Sequence, residues 1–233
     1  FNSSGKLFVI ACGDMKLYVV DGKEGKPKRL LKEHTGEVTA AAFNPVNDNI
    51  ASGSKDNSVK LWDDVNNVAV ATFREHTGQI NALAFSPDGK NFASGSADDK
   101  IVLYDIVENS PKATVTADSK GVTSLAYSSD GKFLASGGSN NSLKIWDAQD
   151  GKKVADISDC KSAVNAVAFS PDVQYLFAAS NDGKIYIFNT ETKQLTKSFV
   201  AHDKGATSLS FTDKGNTIVS GGRDGNIKIW DLS

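Results

Sequence analysis

The strongest constraint in this chain is a period. Trp62, Tyr104, Trp146, Phe188 and Trp230 recur at a constant spacing of 42 residues. A second aromatic set, Phe1, Phe43, Phe85, Tyr127, Phe169 and Phe211, keeps the same spacing. Six units therefore share one register without insertion or deletion. A period of this length marks an array of small supersecondary units, each burying its apolar face against its neighbours.

Within a unit, short apolar runs alternate with turn chemistry, which reads as strands. In residues 79–117, "QINALAF" is a first strand and "SPDGK" a turn, with Pro at the second position and Gly89 where a positive φ is expected. "NFASGS" is a second strand, "KIVLYD" a third and "KATVTA" a fourth. Asp98-Asp99 between the second and third is expected to form a tight two-residue turn, matched by Asp56-Asn57, Asn140-Asn141, Asp182-Gly183 and Asp224-Gly225. Small residues hold fixed places: Ala42, Ala84, Ala126, Ala168 and Ser210 on the first strand, and Gly53, Gly95, Gly137, Ala179 and Gly221 on the second. The second set predicts close backbone approach.

Four antiparallel strands in a unit of about 40–45 residues is a β-propeller pattern. Through "HTGEVTAAAFNPVNDNIASGSKDNSVKLWD" and its copies, the sequence resembles the WD40 repeat family over essentially its whole length. The resemblance implies an all-β WD40 β-propeller of four-stranded antiparallel blades, forming a single domain over residues 1–233. Six units are present, and the resemblance implies that they form part of a seven-bladed propeller. Phe1 aligns with the last residue of a first strand and Asp231 with the end of a third. The expectation is a fragment whose first unit lacks its inner strand and whose last lacks its outer one. The competing reading is six blades that nearly close, with a partner segment supplying strands by β-augmentation.

The resemblance also implies a hydrogen-bonded relay inside a blade, made by a His before the first strand, a second-strand Ser, the turn Asp and the third-strand Trp. This assigns His34, Ser52, Asp56 and Trp62 to one relay and His202, Ser220, Asp224 and Trp230 to another. A third contains His76, Ser94 and Asp98 but ends in Tyr104. Elsewhere the pattern breaks. The fourth unit has Asp118 for His and Asn140 for Asp, and the fifth has Cys160, Ala178 and Phe188. The first keeps only Asp14, with Ile10 and Val20 in place of Ser and Trp. These departing blades are expected to rely on apolar packing alone.

Other chemistries fit poorly. The three histidines fall in equivalent places of different units, whereas a metal site needs converging ligands. A Ser-His-Asp content without a strained nucleophile turn does not make a hydrolase. No catalytic residue, metal or cofactor is expected, and the chain is read as a non-enzyme. A net charge of −2 gives no basic footprint for nucleic acid and no polybasic membrane patch. Cys12 and Cys160 read as reduced thiols of an intracellular, cytoplasmic protein.

The expected function is a scaffold that docks proteins or peptides in a multiprotein assembly; the alternative is an architectural part of a cytoskeletal or ciliary complex. A small-ligand or enzymatic propeller using a central channel is a further class. By family resemblance, partners meet the top rim at the residues flanking the first-strand Val and the one before the turn Asp. These are Glu37, Thr39 and Lys55; Gln79, Asn81 and Ala97; Gly121, Thr123 and Ser139; Ala163, Asn165 and Asn181; and Gly205, Thr207 and Arg223. Lys55 and Arg223 hint at an acidic partner feature, with Arg223 the strongest anchor candidate.

Overall fold

The computed structural model describes residues 1–63, 65–117, 120–212 and 215–232, so Asp118 lies outside the described residues. The chain is all-β, with six antiparallel sheets that fall into two compact units, residues 1–116 and 117–233. Among the described residues no helix is long and apolar enough to cross a membrane.

Unit 1 holds three sheets. Sheet 1 is β1 (Leu7–Ala11), β2 (Leu17–Asp21) and β3 (Pro27–Leu31). Sheet 2 is β4 (Val38–Phe43), β5 (Ile50–Ser54), β6 (Val59–Trp62) and β7 (Ala69–Phe73). Sheet 3 is β8 (Ile80–Phe85), β9 (Asn91–Ser96), β10 (Lys100–Asp105) and β11 (Ser110–Thr116). Unit 2 repeats the plan. Sheet 4 is β12 (Val122–Tyr127), β13 (Phe133–Gly138), β14 (Leu143–Asp147) and β15 (Lys153–Ile157). Sheet 5 is β16 (Val164–Phe169), β17 (Tyr175–Ser180), β18 (Lys184–Asn189) and β19 (Leu195–Val200). Sheet 6 is β20 (Ala206–Phe211), β21 (Thr217–Gly222) and β22 (Ile227–Asp231).

In sheet 2 the second and third strands are buried on both faces, with every residue of β5 and β6 buried, because sheets 1 and 3 cover the two sides, whereas β22 of sheet 6 alternates between exposed and half-buried residues. Ile50 and Trp62 of sheet 2 pack with Leu17, Val19 and Leu31 of sheet 1. Ala178, Tyr186 and Phe188 of sheet 5 pack with Leu143, Ile145 and Ile157 of sheet 4. The glycine next to the last residue of the second strand is explained by this stacking. A Cβ on Gly53 would lie 2.4 Å from Ile80 Cγ2 of sheet 3, and one on Gly137 would lie 2.7 Å from Val164 Cγ1 of sheet 5.

Two local readings are corrected by the structure. The second-to-third-strand turn is not a two-residue hairpin. Asn57, Asp99, Asn141, Gly183 and Gly225 have positive φ, but the residue before each does not. Asn57 N–H donates to Ser54 O at 3.2 Å and Ser54 N–H to Ser58 O at 3.3 Å. That is a three-residue loop built on a type I turn with a left-handed third residue. The outer strand β11 also begins at Ser110, earlier than "KATVTA", and takes in Pro111 where the register shifts beside Tyr104. An outermost strand tolerates the missing N–H.

First strands carry a bulge as well. Val38 pairs with Ser54 and Ala40 with Gly53, leaving Thr39 outside the ladder, and sheets 3, 4, 5 and 6 show the same shift. A bulge re-aims the side chain it carries, and this matters at the site.

Candidate functional site

The type I turn leaves Asp56 free to point back across the sheet. Its Oδ2 accepts from the Thr35 N–H at 2.9 Å and meets His34 Nδ1 at 2.9 Å, while Oδ1 accepts from the Ser58 N–H at 2.9 Å and its hydroxyl at 2.6 Å. His34 Nε2 lies 2.7 Å from Ser52 Oγ, which accepts from Trp62 Nε1 at 2.8 Å. One proton assignment satisfies every group. Trp62 donates to Ser52, Ser52 donates to His34 Nε2, and His34 donates through Nδ1 to a charged Asp56. Burial favours the neutral imidazole and pulls the His34 pKa below its ordinary value, against the opposing pull of Asp56. Burial pushes the Asp56 carboxyl upward, but the Ser58 hydroxyl, the Thr35 amide and His34 outweigh it and hold the acid well below the usual range.

Sheet 3 repeats the set. His76 Nδ1 lies 3.0 Å from Asp98 Oδ2 and Nε2 lies 2.7 Å from Ser94 Oγ, with the Ser94–Tyr104 hydroxyl contact at 3.2 Å. Sheet 6 does so with His202 Nδ1 3.0 Å from Asp224, Nε2 2.9 Å from Ser220, and Trp230 Nε1 donating to Ser220 at 2.9 Å. Each histidine thus serves its own sheet. Ser52, Ser94 and Ser220 are fully buried and committed on both sides, which leaves none of them placed to attack a substrate.

The expectation of purely apolar packing in the other sheets is overturned. In sheet 4 the Trp146 Nε1 still donates to Ser136 Oγ at 2.9 Å. In sheet 1 the Tyr18 hydroxyl donates to Asp14 at 2.7 Å, and in sheet 5 the Tyr186 hydroxyl donates to Asp182 at 2.6 Å. Both tyrosines hold one third-strand place, two residues before the position of the repeat aromatic, which is Val20 in the first unit and Phe188 in the fifth. A tyrosine recurring there beside a retained turn Asp was the signal missed. Burial, then the Asp182 bond, pushes the Tyr186 hydroxyl up to about 12. Cys160, standing where others have His, is buried and its thiol is pushed up to about 12 by that burial.

At the turn end of sheets 2 to 6, a backbone bond joins the residue before the first-strand apolar residue to the one before the turn Asp or Asn. Lys55 N–H donates to Glu37 O, Ala97 to Gln79, Ser139 to Gly121, Asn181 to Ala163 and Arg223 to Gly205, at 2.8–3.2 Å. Lys55 and Glu37 also form an exposed ion pair at 2.5 Å, so the Lys55 charge has a counter-charge within its own sheet. Gln79 is half-buried and donates to Asn81 at 2.9 Å. Ser139, Asn181 and Arg223 are exposed.

The residue after the first-strand apolar residue makes a hydrogen bond within the protein in sheets 2, 4, 5 and 6. Aimed by the bulge, Thr39 Oγ1 donates to Ile80 O of sheet 3, and Thr123 Oγ1 to Val164 O of sheet 5. Asn165 Nδ2 donates to Ala206 O of sheet 6 at 2.8 Å, and Thr207 Oγ1 donates within its own sheet to Gly221 O at 3.1 Å. Thr39, Thr123 and Asn165 thus fasten neighbouring sheets together, and Thr207 does not. Among the described residues, no three or more His, Cys, Asp or Glu converge as a metal-binding set.

No curated protein matches the chain. The family model for the first beta-propeller of IFT122 matches residues 1–233. With its repeated WD40-type sheets, the chain belongs to the IFT122 first beta-propeller family.

Proposed function

We propose that the chain is a non-enzymatic scaffold that docks protein partners within a ciliary transport assembly, using the turn ends of its sheets. The family supports the setting. One observation carries the choice of surface. The frame is repeated, while the side chains it presents are not. The same backbone bond sets Glu37 beside Lys55, Gln79 beside Ala97, Gly121 beside Ser139, Ala163 beside Asn181 and Gly205 beside Arg223. A constant scaffold with varied display suits recognition of particular partners. The ion-paired Lys55 and bulge-directed Thr39, Thr123 and Asn165 leave Arg223, Asn181 and Ser139 of unit 2 as the leading contact residues, with Arg223 the anchor.

The test is an affinity pull-down from ciliated-cell extract with wild type and Arg223→Glu/Asn181→Asp, after matching their melting curves. Loss of a specific partner in the variant supports the reading. Retention of every partner removes the turn end of unit 2 as the docking surface.

A further inference from the structure

The last strand of each sheet lies at a sheet edge. Such a strand leaves one row of backbone N–H and C=O groups unpaired, and proteins guard it with lysine or proline. Five of these six strands are guarded. β3, β11, β15 and β19 carry the exposed Lys28, Lys112, Lys153 and Lys197, β22 carries Lys228, and β3 and β11 add Pro27 and Pro111. β7, at the edge of sheet 2, reads AVATF and has neither residue type nor any charge.

The departure extends to what this edge displays. Val68 stands where other repeats have Lys26, Ser110, Lys152 and Gln194, and Val70 where they have Lys28, Lys112, Val154 and Thr196. Val68 and Val70 are 54% and 50% exposed, and Thr72 is exposed beyond them. A bulge beside the third strand does not set β7 apart, because β3, β11, β15 and β19 share it. The missing charge does.

The surroundings say what would fit. Glu33 accepts from the Ala69 N–H at 3.1 Å and lies 3.6 Å from the Lys60 ammonium, which donates to Thr72 Oγ1 at 2.9 Å. Past the strand, Arg74 is followed by Glu75. These charges balance, so an uncharged occupant is the complementary one. Exposed Val and Thr on an edge pair well with β-branched residues of a facing strand. The four residues from Val70 to Phe73 span about 14 Å. So short an edge does not supply the about 1,200 Å² that holds two folded copies together. It suits a flexible segment of a partner that is also held at another surface, where the second contact becomes intramolecular. We propose that β7 accepts an uncharged, extended segment of a partner protein, rich in β-branched residues, as an antiparallel fifth strand of sheet 2.

The proposal does not depend on the turn-end surface. Its test is an NMR titration of the full chain, read at the Val70 and Thr72 amides, with the Val154 and Asp156 amides of guarded β15 as control. The probes are acetyl-Thr-Val-Thr-Val-Thr-amide and the same peptide N-methylated at both valines. The first is expected to saturate the β7 shifts with a Kd of about 1 mM. The second lacks N–H groups needed for the ladder and should bind at least about tenfold more weakly. Val70→Lys, an exposed substitution that should melt as wild type, is expected to weaken the first peptide about tenfold. The N-methylated probe needs no variant and decides the matter even where Val70→Lys melts lower. No saturation at about 10 mM overturns the proposal. Equal shifts at β15 overturn the choice of edge, and an equal response to the N-methylated peptide overturns backbone pairing. Broadening of the β7 amides with protein concentration alone overturns the partner segment in favour of a second copy.

Discussion

Replacing Ser52 by Ala removes one oxygen and breaks two buried hydrogen bonds. Ser52 and Trp62 are fully buried and His34 nearly so, and Ser52 Oγ sits 2.8 Å from the indole nitrogen and 2.7 Å from the imidazole. The substitution leaves an indole N–H and an imidazole nitrogen without partners. Each orphaned group costs about 1–3 kcal/mol, so the expected loss is about 2–6 kcal/mol. Sheet 4 provides the control. Among the described residues Ser136→Ala orphans only Trp146 Nε1, and its expected cost is about 1–3 kcal/mol. Sheet 5 shows how the protein removes the problem, with Ala178 and Phe188 in the equivalent places. Trp146→Phe should therefore cost less in a Ser136→Ala background than in wild type, with a coupling of about 1 kcal/mol or more. Urea unfolding followed by fluorescence measures this, comparing midpoints among variants with unchanged slope. If Ser52→Ala costs no more than Ser136→Ala, or the two sheet 4 substitutions are additive, the relay is not what satisfies these buried groups.

Acid should act through the same relays. Burial holds the folded His34 and His76 pKa values below their ordinary 6.5. Below that pH the unfolded chain binds more protons, so stability falls as pH drops from 7 to 5, by up to about 1.4 kcal/mol per pH unit per histidine. The Asp56 carboxyl, held low in the fold, adds its own loss only as pH falls below about 3.8. Urea midpoints should decline over pH 7–5 in wild type and flatten in His34→Asn/His76→Asn; a flat wild-type profile contradicts the neutral-imidazole assignment. Gly53→Ala forces a methyl to 2.4 Å from Ile80 Cγ2 and should cost about 1–3 kcal/mol. Gly13→Ala, with open space at its Cβ and no positive φ, should move the urea midpoint little, and equal effects of the two would refute the close approach.

Much of the architecture is visible in the sequence because a constant period repeats each environment. Strand order, the close-approach glycine and the recurrence of His, Ser, Asp and Trp types follow from that register. The Tyr18–Asp14 and Tyr186–Asp182 bonds were hidden because tyrosine reaches the turn Asp from the third strand, at a spacing unrelated to histidine's. The bulge at Thr39 was hidden for a different reason. A one-residue slip in pairing leaves the apolar pattern of VTAAAF intact while sending the threonine toward the next sheet. Likewise the Glu37–Lys55 pair depends on two chain segments meeting at the turn end, which alternation along either strand does not reveal. Partner identity is less legible still, since exposed Arg223 and Asn181 answer to surfaces beyond the sheet.

The bulge-directed clasp has a consequence for how the protein is made. Thr39 is bound by Ile80, Thr123 by Val164 and Asn165 by Ala206, so each donor waits for an acceptor one repeat downstream. On a ribosome adding about 5–20 residues per second, a newly emerged sheet spends several seconds with its first strand unfastened. Sheets 2, 4 and 5 are thus temporary ends that their successors close, and a pause in synthesis would lengthen the exposure of one identifiable strand rather than of the whole chain.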